Sequence, residues 1–368
     1  MKTSLAGWFL ALIYLASFGD ALAGYSGLYV FGDSLSDSGN NAVVLAPNVT
    51  PVPISGNDFI PVYPYVSTRY TNGEVWAQTL ASALGLGADP SLLGGTDYAF
   101  GGAQTGPLAS IGLVSAAPPS LEAQVALFLA QHGNTAPGTA LYIVAGGGED
   151  ILHALPAINA CTGSLVCIGD VINSTVKTFA GNIGNIVSAL QTAGATNIVV
   201  WDVPDVGDAP AAHALGFSPL ATAIASSMNL ALSSVISADP NVELFDAFGL
   251  LNDAIADPSA FGLVNVTDAC AQFIACDPSQ YLFWDGIHPT SAANSIISDA
   301  ILSLIAEIPE PSTIGLFGVA LAGLLWARRR WPRTKAKARD RSIQDDRPVS
   351  GRARPSGIGD PRRLSAGR

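Results

Sequence analysis

Ala140-Leu141-Tyr142-Ile143-Val144-Ala145 and Asn197-Ile198-Val199-Val200-Trp201-Asp202 are continuous apolar runs rich in β-forming residues. Runs of this kind are strands buried on both faces of a parallel sheet. Between them Phe179, Ile183, Ile186 and Leu190 recur at the spacing of one helical face, and Gly194 supplies a stop before the second run. Outward from this pair, residues 27–31 form a similar short run and residues 242–245 a weaker one, while 121–129, 220–236 and 291–305 read as helices. Strands alternating with helices predict an α/β fold, a parallel sheet covered on both faces. In such a sheet ligands bind beyond the carboxyl ends of the strands, so the residues following each apolar run are the ones to examine.

Composition sets the surroundings of that body. The chain has 368 residues, 49% hydrophobic and 12% charged, which excludes a wholly disordered protein, and no run is long enough for a polytopic membrane protein. The net charge of -12 is unevenly distributed: residues 328–368 carry 14 of the 17 lysines and arginines but only 4 of the 29 acids. The acidic remainder repels phosphate backbones, which argues against nucleic acid as its partner. Residues 1–23 read as a secretory signal, with Lys2, an apolar run over 5–18 and the small-residue exit Ala21-Leu22-Ala23. The four cysteines fall in two short spans, Cys161 to Cys167 and Cys270 to Cys276. In an oxidising compartment each span can close a local loop, although four cysteines permit three connectivities, and neither span looks like a metal site.

Near the other end Pro309-Glu310-Pro311-Ser312 precedes an apolar run over 313–326 and then Arg328-Arg329-Arg330. Such a run spans roughly 21 Å as helix, short of the ~30 Å hydrocarbon core, so anchorage is expected to be transient. The arginines would hold that end on the cytoplasmic side. This tripartite tail resembles the PEP-CTERM sorting signal of Gram-negative bacteria. The resemblance implies export to the cell envelope or extracellular matrix, and an exosortase-type processing enzyme as partner. Residues 331–368 continue past the point where such signals usually stop; they are basic, lack apolar periodicity and are expected to be disordered. The expected organisation is therefore a leader (1–23), a main domain (24–308), a sorting segment (309–330) and a basic tail (331–368).

After the first strand comes Gly32-Asp33-Ser34-Leu35-Ser36-Asp37-Ser38-Gly39-Asn40, where Ser34 can project from the start of a helix. A serine hydroxyl needs a neighbouring base to become a useful nucleophile. Of the four histidines, His288 stands in Trp284-Asp285-Gly286-Ile287-His288-Pro289, so one loop can present an imidazole and the carboxylate that orients it. Pro289 biases His288 away from helical conformation and suits the first turn of the following helix. Asp33 and Asp37 read as caps and loop anchors, Trp76 and Trp201 as core.

These blocks, with Arg69-Tyr70-Thr71-Asn72-Gly73-Glu74-Val75-Trp76, Asp97-Tyr98-Ala99-Phe100-Gly101-Gly102-Ala103-Gln104-Thr105-Gly106 and the 195–204 segment, resemble the GDSL esterases/lipases, or SGNH hydrolases. The likeness is to their secreted bacterial phospholipase/lecithinase-like branch. It implies a three-layer α/β/α sandwich with a central parallel sheet, flavodoxin-like, and a serine hydrolase; with the leader and sorting segment the expectation is an exported enzyme, acting as a monomer. Its substrate would be an ester of a lipid, an acetylated sugar or a small metabolite. Residue by residue it implies Ser34 as nucleophile, His288 as general base and Asp285 as its orienting group. The N–H groups of Ser34 and Gly102 would be two oxyanion donors. No cofactor and no metal is implied.

The third oxyanion donor departs from the pattern. The family has Gly-x-Asn-Asp after the third strand, whereas this chain has Gly147-Gly148-Glu149-Asp150. An amide donates a hydrogen bond to a developing oxyanion, and an ionised carboxylate does not. Three readings stay open: a protonated Glu149 that still donates, a Glu149 turned away with slower turnover, or a degenerate relative that binds extracellular polysaccharide without turnover. Reduced but real activity is the expectation. The Pro-rich stretch 43–68, with Tyr63 and Tyr65, is expected to line the acyl or alcohol pocket.

Overall fold

Four parallel strands make the central sheet of the computed structural model: β1 (Leu28–Gly32), β2 (Leu141–Ala145), β3 (Asn197–Trp201) and β4 (Val242–Phe245), in the order β1-β2-β3-β4. The structure describes residues 24–55, 65–107, 118–237 and 239–306, together with Leu321 and Leu325. The expected leader, nearly all of the sorting segment, the basic tail and Tyr63 lie outside these residues. Two units divide the chain, Met1–Glu310 and Pro311–Arg368, and everything below concerns the first.

The sheet has an irregular fifth member. Residues 97–100 run parallel along the free edge of β1, with Tyr98 N–H donating to Val30 O (2.8 Å) and Phe100 N–H to Gly32 O (3.1 Å). In chain order this segment is second, so the spatial order is second-first-third-fourth-fifth, that of flavodoxin-like sheets. The order reverses between β1 and β2, and ligands bind at such a switch point. Aspartate at its start and glycines at its end keep this edge from reading as a strand in the sequence.

Alternation along the strands sorts the core into two layers. Tyr142, Val144, Ile198 and Val200 face a cluster built with α-helices on one side, while Leu141, Ile143, Ala145, Val199 and Trp201 face a second cluster on the other. In chain order the helices are α1 (Asn40–Val44), α2 (Trp76–Ala83), α3 (Leu121–Gln131), α4 (Gly148–Ala160), α5 (Leu165–Thr192), α6 (Pro210–Leu215), α7 (Ser218–Ile236), α8 (Ala247–Ala256) and α9 (Ser291–Ala306). The first layer takes Leu121, Val125 and Phe128 of α3, Phe179 to Leu190 of α5 and Ile224, Met228 and Leu232 of α7. The second takes Trp76 and Leu80 of α2 and Ile301 and Ile305 of α9. The result is the three-layer α/β/α sandwich expected.

Two helices differ from the sequence reading. Only the C-terminal half of α5 shows a buried stripe, from Phe179 onward, because its first turns carry exposed residues such as Leu165 and Val166. At 28 residues it is ~42 Å long, against ~17 Å for the five-residue strand that follows, so its packed face covers only part of its length. The helix α4 was not expected, since Pro156 inside it withdraws a backbone donor. A second, two-stranded parallel sheet, β5 (Asn265–Ala269) and β6 (Tyr281–Phe283), was also not foreseen. It delivers the chain into the loop at 284–290. The cysteines pair within their short spans, Cys161 with Cys167 and Cys270 with Cys276. Beside the second disulfide, Ala271 N–H donates to Trp284 O (2.8 Å), tying that loop to the segment leading to His288.

Candidate functional site

Ser34 follows β1 directly. The strand end is pinned by the buried Gln124 amide, whose oxygen accepts from Gly32 N–H (2.9 Å) and whose nitrogen donates to Gly32 O (2.8 Å). Ser34 sits on a turn closed by Ser36 and Asp37 N–H groups donating to Asp33 O, both at 3.1 Å. This corrects the expectation of a helix beginning at Ser34, since α1 starts only at Asn40. The intervening residues are used as acceptors for loop amides.

The loop after β6 brings the other two residues to the same point. Asp285 Oδ1 accepts from the N–H groups of Ile287 and His288, both at 2.7 Å, and Oδ2 accepts from His288 Nδ1 at 2.8 Å. A carboxylate that only accepts fixes the proton on Nδ1, which leaves Nε2 as the acceptor. His288 Nε2 lies 2.8 Å from Ser34 Oγ. All three are buried, with Ser34 7%, His288 3% and Asp285 0% exposed. The loop is closed by Trp284 N–H donating to His288 O (2.8 Å) and clamped from outside by Thr71 Oγ1, which donates to Pro289 O (2.8 Å). Pro289 is not in the first turn of α9, as the sequence reading had it. Thr290 caps that helix instead, its hydroxyl accepting from Ala293 N–H (3.1 Å).

Gly102 is held against this pair by buried polar groups. Asp37 accepts from Gly39, Asn40, Asn41 and Gly101 N–H groups, the last at 3.0 Å. Asn40 Nδ2 donates to Asp97 O and Ala99 O, both at 2.9 Å, and Asp97 accepts from Ser38 N–H at 2.7 Å. The loop carrying Ser34 and the edge segment ending in Gly101-Gly102 are thereby one hydrogen-bonded unit. Asp37 is the loop anchor expected; the roles of Asn40 and Asp97 were missed, and their only signal was the density of short polar residues in two blocks otherwise bound for the interior. Gly102 has φ +83°, in the left-handed region that favours glycine. Neither its N–H nor that of Ser34 has an acceptor among the described residues.

Glu149 occupies the second position of α4, beside Ser34 at the switch point, and lines the same cavity. Its charge adds to the upward shift of the Asp33, Tyr70 and His288 pKa values. Burial pushes the His288 pKa down, but the Asp285 carboxylate and its hydrogen bond, with the charges of Asp33 and Glu149, outweigh it and hold the imidazole above its ordinary value. Burial likewise pushes the Asp33 carboxyl up to about 7, against the Leu35 N–H it accepts and with the help of Glu149. Tyr70, desolvated to a pKa of about 12, keeps its phenolic proton and lays its ring 5.1 Å from that of His288.

A cavity of about 560 Å³ opens from Ser34 and Glu149 along the carboxyl ends of the strands. The stretch expected to line it contributes none of its described residues. Tyr65 is buried in a separate apolar cluster with Ala42 and Ile54, against which Tyr70 and Trp284 pack. Trp76 is core, as read; Trp201 is buried but also meets the cavity. Among the described residues no three His, Cys, Asp or Glu side chains gather as a metal site requires.

The family model for GDSL-like lipase/acylhydrolase matches residues 28–301, and that for the PEP-CTERM protein-sorting motif matches 307–330. A GDSL esterase/lipase of Arabidopsis thaliana is 28% identical over 325 residues, covering 75% of this chain and 85% of that protein. Esterase EstA of Pseudomonas aeruginosa is 29% identical over 328 residues, covering 77% of this chain and 47% of the relative. The chain thus spans about half the length of the Pseudomonas relatives it matches. Among solved structures, Est24, a carbohydrate acetylesterase from Sinorhizobium meliloti, superposes with a TM-score of 0.42 at 16% identity, over 77% of this chain and 99% of that one.

Proposed function

Since the chain belongs to the GDSL-like lipase/acylhydrolase family, we propose that it is an exported hydrolase of carboxylic esters working through an acyl-enzyme. The observation that carries this reading is the unbroken relay from Asp285 through His288 to Ser34, with 2.8 Å on each side of the imidazole. Ser34 Oγ attacks the ester carbonyl while His288 Nε2 takes its proton, and the imidazolium formed is stabilised by Asp285. The N–H groups of Ser34 and Gly102 receive the oxyanion. His288 then protonates the leaving alcohol, and a water activated by the same nitrogen releases the acid. The expected leader and the PEP-CTERM motif support delivery to a Gram-negative cell envelope with exosortase processing. Turnover of p-nitrophenyl esters, with labelling by a fluorophosphonate, tests the reading. Both are expected of the wild type and neither of Ser34→Ala; full turnover by that variant overturns it.

A second reading, a surface protein that binds extracellular polysaccharide on the same fold, is favoured by Glu149. A carboxylate beside Ser34 adds negative charge where negative charge develops in the reaction. Loss of one amide donor at such a position costs about 10²–10³ in rate. Glu149→Asn separates the two: a gain of tenfold or more in ester turnover marks a slowed enzyme. Absence of turnover with either residue, with measurable glycan binding, marks the binder.

A further inference from the structure

The cavity beside Ser34 is larger than an ester group requires, and its extent is directional. From Ser34 and Glu149 it passes the ends of β2 and β3, at Ala145 and Trp201, and reaches Phe245 at the end of β4 and Ala254 on α8. Neighbouring strands lie ~4.8 Å apart, so the path from β1 to β4 covers roughly 14 Å. Its walls are apolar, aliphatic at Leu152 and Leu155 of α4, Leu215 of α6 and Ile296 of α9, and aromatic at Trp201 and Phe245. The charged residues at the cavity are Asp33, Glu149 and Asp205, with no lysine or arginine among the described lining residues. Asp33 and Glu149 stand at the Ser34 end, while Asp205 directs its carboxylate to the Gly207 N–H (3.0 Å) and the Thr222 hydroxyl (2.7 Å).

Such a lining selects by what it lacks. A sugar ring entering it would lose its hydrogen bonds to water and find few replacements, and an anionic group would meet acids and no cation. An alkyl chain needs neither. The two halves of an ester also differ in what happens to them. The alcohol must leave so that water can enter, whereas the acyl group stays attached through both steps.

We propose that this trough holds the acyl chain of a medium- to long-chain fatty-acid ester, which makes the substrate a lipid-like acyl ester and not an acetylated sugar. The proposal rests on the hydrolase reading above. Each methylene buried in the trough raises kcat/KM by up to about fourfold, the equivalent of ~0.8 kcal/mol, until the far end at Ala254 is reached.

The test uses the purified full chain with p-nitrophenyl acetate, butyrate, octanoate and laurate, and in parallel the acetate esters of the matching alkanols. A rise of at least tenfold in kcat/KM from butyrate to octanoate is expected in the acyl series and not in the alcohol series. Ala254→Phe, which fills the far end, is expected to lower the laurate-to-butyrate ratio at least tenfold. Independently of how that variant folds, a dodecyl phosphonate ester should inactivate the wild type at least tenfold faster than its butyl analogue. A flat or falling acyl series, a chain-length dependence confined to the alcohols, or phosphonate rates indifferent to chain length overturns the proposal. If no ester is turned over, binding of the uncharged ester methyl laurate separates the two claims. Methyl laurate binding that Ala254→Phe abolishes supports the trough while sinking the hydrolase reading, and absence of methyl laurate binding sinks both.

Discussion

His288 Nε2 and Ser34 Oγ stand 2.8 Å apart across 254 residues of chain. Neither residue achieves this alone. Ser34 is fixed by the end of β1, and His288 by a loop whose outer clamp, Thr71 on Pro289 and Asn72 on Ser291 N–H (2.8 Å), comes from the segment just before α2. The contact therefore depends on three parts of the sequence meeting at one rim of the sheet.

Asp285→Asn tests the orienting role. An amide at 285 can still accept the Ile287 and His288 N–H groups, so the loop keeps its shape. The other end of the amide then presents N–H to His288 Nδ1 and drives the imidazole proton to Nε2, where it cannot accept from Ser34. We expect kcat to fall by about 10³–10⁴ on the precedent of serine proteases, with a Tm little changed. A fall of less than tenfold would mean that Asp285 only supports the loop.

The pH dependence of turnover follows from the raised pKa of His288. The imidazole must be neutral to accept the Ser34 proton, so the acid limb of kcat/KM is expected to have its midpoint above the ordinary ~6.5. Asp33, held at about 7, ionises in the same range, and the limb therefore reports a coupled pair. Glu149→Gln removes one of the negative charges that raise the imidazole pKa. The limb should move to lower pH in that variant, and an unmoved or upward-shifted limb would contradict the arrangement.

Much of this was legible in the sequence because the physics is local. β2 and β3 declare themselves by unbroken apolar runs, and Asp285 and His288 are three residues apart in one loop. The parts that were not legible depend on partners distant in the chain. Residues 97–100 become an edge strand only through β1; Asn40 and Asp97 matter only because each loop satisfies the other's amides. The apolar trough draws single residues from many helices and loops, none of which forms a motif, whereas the conspicuous proline-rich stretch adds none of its described residues to the wall.

Stability is expected to fall as pH rises. Burial raises the pKa of Asp202 to about 7, as it does that of Asp33, and also raises Asp37, Asp97 and Asp150. An acid whose folded pKa exceeds its unfolded value of ~3.9 contributes stability that is fully present below that value and is lost as pH climbs through the folded pKa. The raised imidazole of His288 acts with the same sign at higher pH. Tm should therefore be higher at pH 5 than at pH 8. Asp202→Asn, whose amide oxygen can still accept from Phe248 N–H, should flatten the decline between pH 4 and 7. A Tm that rises steadily over this range would show that these carboxyls are ionised in the fold.

The adjacent glycines at 101 and 102 should respond differently to the same methyl group. At Gly102 a Cβ meets only the Pro118 ring at 3.4 Å, but φ is +83°, so Gly102→Ala is expected to cost about 1–2 kcal/mol of stability through backbone strain. At Gly101 a Cβ collides with the ring of Tyr70, whose hydroxyl accepts from Asn41 Nδ2 (2.8 Å) and whose face lies against His288. Gly101→Ala must displace that ring, and with it the support of the imidazole, so it should lower kcat by more than tenfold. Tyr70→Leu shortens the colliding side chain. The double variant Gly101→Ala/Tyr70→Leu should consequently lose less activity than the product of the two single losses, a coupling that a double-mutant cycle measures. Strict multiplicativity of the two losses would show that Gly101 acts on the site by a route other than Tyr70.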